Sequence, residues 1–449
     1  CTIDRELADR LTYEARFIRA YLYFEMVKRY GGVPLITIPQ EMTDDLYVKR
    51  NSTKECFDFI IDELKACAEG LPDSHSAEDL GRVTKGAAKA FLGRVFLFRA
   101  SPQFNPNNNN EHWQTAYNYN KETLNYLIGQ GHALYDDYGK LFLDEMNKEV
   151  IFAIRYENPT RTQKRDATVR PITFSMNNTG GNHPTQEVID RFPTIDGGTY
   201  TYADWEKEGK DIFALWENRD KRFYATIVQD SCEYYGELVT MHKTGNLQRC
   251  SLGEAPGTAE MGSTNYLWRK GVYINDWRIF VDVPTDYHYV IFRYGRALLN
   301  KAEALLCLAK SDPSKLSEAV ATFNQTRTVH GGLPESEAST LVEAWKDYRI
   351  ERHVELPMEG DYYWSLLRWG KYGEEANDGQ PSGSEVIKEL RTPATFIEIS
   401  SDRHRMFIGT QGYGNADRTF SKKRYLYPIP QSLINANSAI TEKDQNPLW

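Results

Sequence analysis

The chain has 449 residues, 41% hydrophobic and 26% charged, a balance that excludes a disordered segment, a collagen-like repeat and a disulfide-held mini-scaffold and leaves room for a large core. Its 54 Lys and Arg against 63 Asp and Glu give a formal charge of −9, which denies it the basic field that a nucleic-acid backbone demands. No run nears the roughly 18 consecutive apolar residues of a membrane-spanning helix, since Ala90 to Phe98 is broken by Gly93 and Arg94.

Helical periodicity dominates residues 1–135. Leu11 to Tyr30 carries Ala15, Ile18, Leu22 and Met26 on one stripe and Phe17, Tyr21 and Phe24 on another, which predicts a helix wrapped on two sides and stopped at Gly31-Gly32. A second helix is predicted from Thr53 to Glu69, capped by Ser52 or Thr53, and a third from Val83 to Ala100. Gly86, Ala87, Ala90 and Gly93 keep the third slim enough for a close crossing. A fourth runs from Trp113 to Ile128. Helices of this length, joined by short turns, look like tetratricopeptide hairpins, with an ordinary helical bundle as the alternative.

Between 136 and 289 the period dissolves into short strand-like runs such as Val150 to Arg155, glycine turns and dense aromatics, 16 of them between 200 and 290. A loop layer on a helical scaffold is a usual place for a binding site. Helices resume at Val290 to Lys310, Ser314 to Val329, Leu341 to Leu356 and Met358 to Trp369, and Tyr425 to Trp449 reads as an extended strap. The fold class is therefore mainly α: helical groups at 1–135 and 290–449 pack on each other, and 136–289 is an inserted lobe. Cys56, Cys67 and Cys307 sit on apolar stripes and read as core, whereas Cys232 and Cys250 fall in irregular sequence and either bridge or stay free.

Strings spread along the whole chain resemble the SusD/RagB family of starch-utilisation-type outer-membrane lipoproteins of Bacteroidetes. Glu14-Ala15-Arg16-Phe17 leads to Tyr30-Gly31-Gly32-Val33-Pro34, and Arg82-Val83-Thr84-Lys85-Gly86 is followed by Ser101-Pro102-Gln103-Phe104-Asn105. Pro184-Thr185-Gln186-Glu187, Asn218-Arg219-Asp220-Lys221-Arg222, Arg293-Tyr294 and Glu351-Arg352-His353-Val354-Glu355 then come in the family's order. Tyr427-Pro428-Ile429-Pro430 with Gln445-Asn446-Pro447 closes the series. Two departures stand out. Tyr362 and Ser365 flank Trp364 where the family places an Arg and an Asp, so an internal ion pair is expected to be missing. Cys1 lies only 13 residues before Glu14, so it reads as an internal cysteine, with the lipid anchor upstream of this chain.

Most of these motif residues read as scaffold. Arg16, Arg82, Glu303, Glu351, Arg352 and Glu355 stand among apolar helix positions, where a charge survives only when paired, and Arg219, Asp220 and Arg222 are expected to fix the lobe to the helices. The sequence carries no GxSxG elbow, HExxH or P-loop, and no Cys/His metal spacing, so neither catalysis nor a cofactor is expected.

What remains is binding. A sugar offers an apolar C–H face to an aromatic ring and hydroxyls to polar neighbours. Tyr200, Tyr202 and Trp205 form the first candidate platform, with packing of the lobe's own core as the alternative. Tyr273 and Trp277 form a second, and Asn177 and Asn178 are candidate amide donors. The resemblance implies non-catalytic capture of oligosaccharides at the cell surface and delivery to a SusC-like TonB-dependent outer-membrane transporter. A peptide-capturing RagB-like protein and a tetratricopeptide-type protein scaffold are the alternatives.

Overall fold

In the computed structural model the described residues are 4–163, 182–234, 236–242, 245, 264–271, 286–370, 379–393, 395–402, 406–410 and 418–449. The helices are α1 (Arg5–Tyr30), α2 (Thr53–Gly70), α3 (Lys85–Ala100), α4 (Asn110–Gly129), α5 (Gln186–Ile189), α6 (Tyr202–Glu208), α7 (Lys221–Thr226), α8 (Tyr294–Ala309), α9 (Lys315–Val329), α10 (Leu341–Glu355), α11 (Tyr362–Trp369), α12 (Gly383–Arg391) and α13 (Gln431–Ala436). Among the described residues strands pair in twos: β1 (Val150–Ile154) with β6 (Tyr289–Arg293), β2 (Ile227–Val228) with β5 (Leu267–Trp268), β3 (Glu233–Tyr234) with β4 (Glu237–Leu238), and β7 (Thr395–Ile399) with β8 (Met406–Thr410). All four pairs are antiparallel.

The long helices start where the sequence offers a cap. Ser52 Oγ accepts from Glu55 N while Glu55 accepts from Ser52 N, which satisfies two donors at the start of α2. Thr84 and Thr340 accept from the third residue of α3 and α10 in the same way. α1 ends at Gly31, whose φ of +71° an L side chain rarely adopts, and a Cβ on Gly32 would lie 2.0 Å from Asn51 O.

One core joins the two helical groups. Phe17, Phe24, Phe91 and Phe98 from α1 and α3 meet Phe292 from β6 and the α8 face around Leu298, Ala302 and Leu305. α3 is buried almost throughout, consistent with its position between α2, α4 and α8. Gly93 makes the α3–α4 crossing possible, for a Cβ there would meet Asn120 Oδ1 at 2.6 Å. α1 differs from expectation. Its Phe17–Phe24 stripe is buried, but Ile18, Leu22 and Met26 are 54%, 56% and 37% exposed, because no described element covers that side. The helix is wrapped on one side, not two.

A second core lies in the lobe, where Ile189, Phe192, Phe223 and Tyr266 pack with Ile397 and Ile399 of β7 and Val354 of α10. Trp216, buried in this core, donates its indole N–H to Tyr266 Oη at 3.1 Å. Buried ion pairs fasten this lobe to the helices. Arg222 reaches Glu351 at 2.5 Å, Glu355 at 2.7 Å and Asp220 at 2.7 Å, all without solvent exposure. Arg293 reaches Glu149, Glu355 and Glu359, and Arg368 is held by Glu303. Arg219 departs from its expected role: its guanidinium caps the carbonyls of Leu215 and Phe192 and so stays within the lobe. Around Trp364 the expected loss of an ion pair is offset. Ser365 bonds Asp361, itself paired with Arg352 at 2.6 Å, and Tyr362 Oη joins Arg191 to Glu389.

The end of the chain is a strap with short helical turns. Gln445 exchanges both amide hydrogen bonds with Ile429, and Asn446 Nδ2 donates to Tyr30 O and Tyr427 O. Arg50 donates to Gly32 O, Tyr30 O and Asn446 Oδ1, so the Gly-Gly turn and the terminal motif hold each other. Cys56, Cys67 and Cys307 are buried and free; Cys232 accepts from Arg269 Nη2 at 3.4 Å, and Cys250 lies outside the described residues.

Candidate binding site

The first candidate platform is built on α6. Thr201 and Asp204 form a reciprocal capping box, so the Thr-x-x-Asp spacing starts a helix in otherwise irregular sequence, and Gly209 ends it. Asp190, at the end of α5, fixes the entry by accepting from Tyr202 N at 3.1 Å. Burial raises the Asp190 carboxyl to about 6, against the lowering effect of Gln186 and of that backbone N–H.

Helical geometry then separates the three aromatics. Trp205 points into the lobe core, 7% exposed, and donates its indole N–H to Asp211 O at 2.9 Å. Tyr202, one turn earlier, lies tilted against it with ring centroids 5.5 Å apart and stays half-buried. Tyr200 is half-buried too; its phenol donates to Glu208 at 2.9 Å, and burial together with that carboxylate pushes it up to about 12. The Arg219 guanidinium lies 5.7 Å from the Tyr200 ring centre. Two partly open rings beside carboxylates can stack on an apolar sugar face and accept from its hydroxyls. Tyr273, Trp277, Asn177 and Asn178 lie outside the described residues.

The residue after Asp190 opens a second feature that sequence reasoning missed. Arg191, just past the end of α5, lines a cavity of about 530 Å³ between α10, α11 and α12, with Lys346, Arg349, His353 and Glu389. Arg191 Nη1 donates to His353 Nδ1 at 2.6 Å and to Tyr362 Oη at 2.7 Å, and Nη2 reaches Glu389 at 2.5 Å. Burial and the adjacent Arg191 charge hold His353 well below the usual imidazole range, so it is neutral and accepts. The spacing of Val342, Lys346, Arg349 and His353 on one face of α10 was the available signal.

Among the described residues one group places three residues of metal-ligating type together: Glu149, His330 and Glu355. Its donors are already committed. His330 Nδ1 lies 2.8 Å from Glu355, His330 Nε2 3.2 Å from Glu149, and Arg293 Nη1 bonds both carboxylates at 2.7 and 2.6 Å. Burial alone would keep His330 neutral, yet the Glu355 and Glu149 charges outweigh it and raise the imidazole to about 10. The cluster is an ion-pair network in which His330 and Arg293 supply the positive charge.

Residues 148–449 match the model of the SusD family. The chain belongs to the SusD family. Residues 4–97 also match a family described as starch-binding associating with outer membrane. Two SusD-like relatives bracket the likeness: one of Bacteroides ovatus, 28% identical over 96% of this chain and 73% of its own length, and one of Formosa agariphila, 24% identical over 80% and 66%. The chain thus spans about two thirds to three quarters of the length of these relatives. Among solved structures, a SusD-like protein of Bacteroides fragilis superposes with a TM-score of 0.79 at 27% identity, covering 100% of this chain and 81% of that one. A SusD-like carbohydrate binding protein of the same species gives 0.73 at 21% identity, over 97% and 80%.

Proposed function

We propose that this SusD-family protein is a non-catalytic binding protein that captures oligosaccharides at the cell-surface side of the outer membrane and passes them to a TonB-dependent transporter. The observation that carries this reading is the half-open Tyr200–Tyr202 pair on a family scaffold, with Glu206 and Glu208 beside the phenols. A sugar ring stacks on the Tyr202 face, and the two carboxylates accept from its equatorial hydroxyls. Binding without turnover suits the acidic residues of the scaffold. Burial would raise the Glu359 and Asp361 carboxyls, but Arg293 and Arg352 respectively outweigh it and hold both low, so neither is a free acid. No helix among the described residues is long and apolar enough to cross a membrane; a lipid anchor, which the family resemblance implies, is the proposed attachment.

Isothermal titration against a panel of oligosaccharides, with a peptide pool as the comparator, tests this. Micromolar or weaker binding of at least one glycan is expected, without release of reducing ends. Peptide binding with no glycan binding, or sustained hydrolysis by clean protein, would overturn it.

A further inference from the structure

α10 shows two faces. One, including Trp345, Tyr348, Glu351, Arg352 and Glu355, is buried in the cores and their ion pairs. The other, Val342, Lys346, Arg349, Ile350 and His353, follows the spacing of a single helix face and lines the 530 Å³ cavity. That volume is within the range of small-molecule sites. Its walls combine apolar surface from Val342, Ile350 and Leu366 with an indole, that of Trp369, whose Nε1 is buried and unpartnered among the described residues.

The charges in this cavity do not cancel. Glu389 is shared between Arg191 at 2.5 Å and Arg349 at 3.2 Å, and Asp361 belongs to Arg352. Glu385 turns back to accept from Ser382 N at 2.7 Å, closing the capping box of α12. Among the described lining residues Lys346, Arg191, Arg349 and Arg352 outnumber Glu385, Glu389 and Asp361 by one, and Lys346 has no hydrogen bond or ion pair among the described residues. With His353 Nδ1 accepting from Arg191, the ring proton sits on Nε2.

We propose that this cavity is a glycan subsite selective for a sugar ring bearing an anionic substituent, a carboxylate or a sulfate ester, with the anion paired to Lys346 and the ring's C–H face laid on Val342 and Ile350. This rests on the glycan-binding reading above. Asp190 supports the α6 platform and the next residue, Arg191, walls the cavity.

Isothermal titration of the full chain with three forms of one oligosaccharide is the test: the neutral parent, a uronate-bearing form and a sulfated form. At least one acidic form should bind about tenfold more tightly than the parent near physiological salt, and raising the salt several-fold should shrink that advantage. The preference should disappear in Lys346→Met and persist in Lys346→Arg, both with the wild-type melting temperature, since this side chain is exposed. Preference for the uronate alone assigns the site to carboxylates, and for the sulfated form alone to sulfate esters. Equal affinity for all three forms, or an acidic preference that Lys346→Met leaves intact, would overturn the subsite. Neutral binding that survives without acidic preference sinks this inference alone, whereas no binding of any form sinks the glycan reading with it.

Discussion

Gly93 offers a sharp test of how the helical scaffold is packed. It lies in mid-α3, and a methyl group added there would sit 2.6 Å from Asn120 Oδ1 and 3.1 Å from its Cγ. Asn120 is 1% exposed, and its amide nitrogen donates to Gly93 O at 3.1 Å and to Ala116 O at 2.8 Å. Gly93→Ala must displace that amide. Leaving a buried donor unsatisfied costs about 1–3 kcal/mol, and forcing a close crossing apart costs about 1–3 kcal/mol more. The better helix propensity of alanine returns about 1 kcal/mol, which leaves a net loss of about 3 kcal/mol. Unfolding entropy of about 2 cal/mol/K per residue makes that a fall of about 3 °C in Tm for a chain of this length, read by scanning calorimetry. Gly86→Ala is the control. Two turns earlier, its methyl meets nothing nearer than Leu127 Cδ2 at 3.4 Å, so that variant should unfold at or slightly above the wild-type temperature. A Gly93→Ala protein as stable as Gly86→Ala would refute the crossing described here.

His330 gives a pH signature. Its folded pKa of about 10 lies above the unfolded value of about 6.5, so its stabilisation is complete below about pH 6.5 and fades as pH rises toward 10, by up to about 1.4 kcal/mol per unit. The Tm gap between wild type and His330→Gln should therefore narrow from pH 7 to pH 10, and a constant gap would contradict the protonated network. Trp205→Ala should lower stability by about 3–5 kcal/mol in thermal unfolding, as for a buried indole, and unchanged stability would mean that the ring is not core. Ile18→Ser and Leu22→Ser should each shift stability by less than about 0.5 kcal/mol, because both side chains are more than half exposed; a loss of several kcal/mol would show that the stripe is covered.

The long helices were legible because their apolar period is carried by many residues, and a Ser52 or Thr53 cap marked the start of the second, where the structure places Ser52 as the N-cap. A stripe, however, records amphipathicity and not what covers it, which is why the Ile18–Met26 face of α1 was overread. Local competition explains other differences. Val290 was read as the start of a helix, but Val290 and Phe292 point inward from a strand paired with β1, and α8 begins only at Tyr294. On α6, Tyr200, Tyr202 and Trp205 suggested one aromatic surface. The Thr201–Asp204 box makes this a helix, where a three-residue step carries Trp205 beneath Tyr202 and into the core. Buried charges were readable as clamps, since Glu351, Arg352 and Glu355 had to be paired, yet Arg222 and Arg293, which pair with Glu351 and Glu355, come from distant segments that only tertiary structure brings together. The cavity beside α10 was hidden for the same reason, being a face that neighbouring helices leave uncovered.

The most direct measurement is oligosaccharide affinity in Tyr202→Ala, by isothermal titration beside thermal unfolding of the same sample. Loss of one stacking ring should weaken binding by about 1–3 kcal/mol, roughly 5- to 150-fold, with folding intact. Wild-type affinity in a folded Tyr202→Ala protein would contradict the platform on α6.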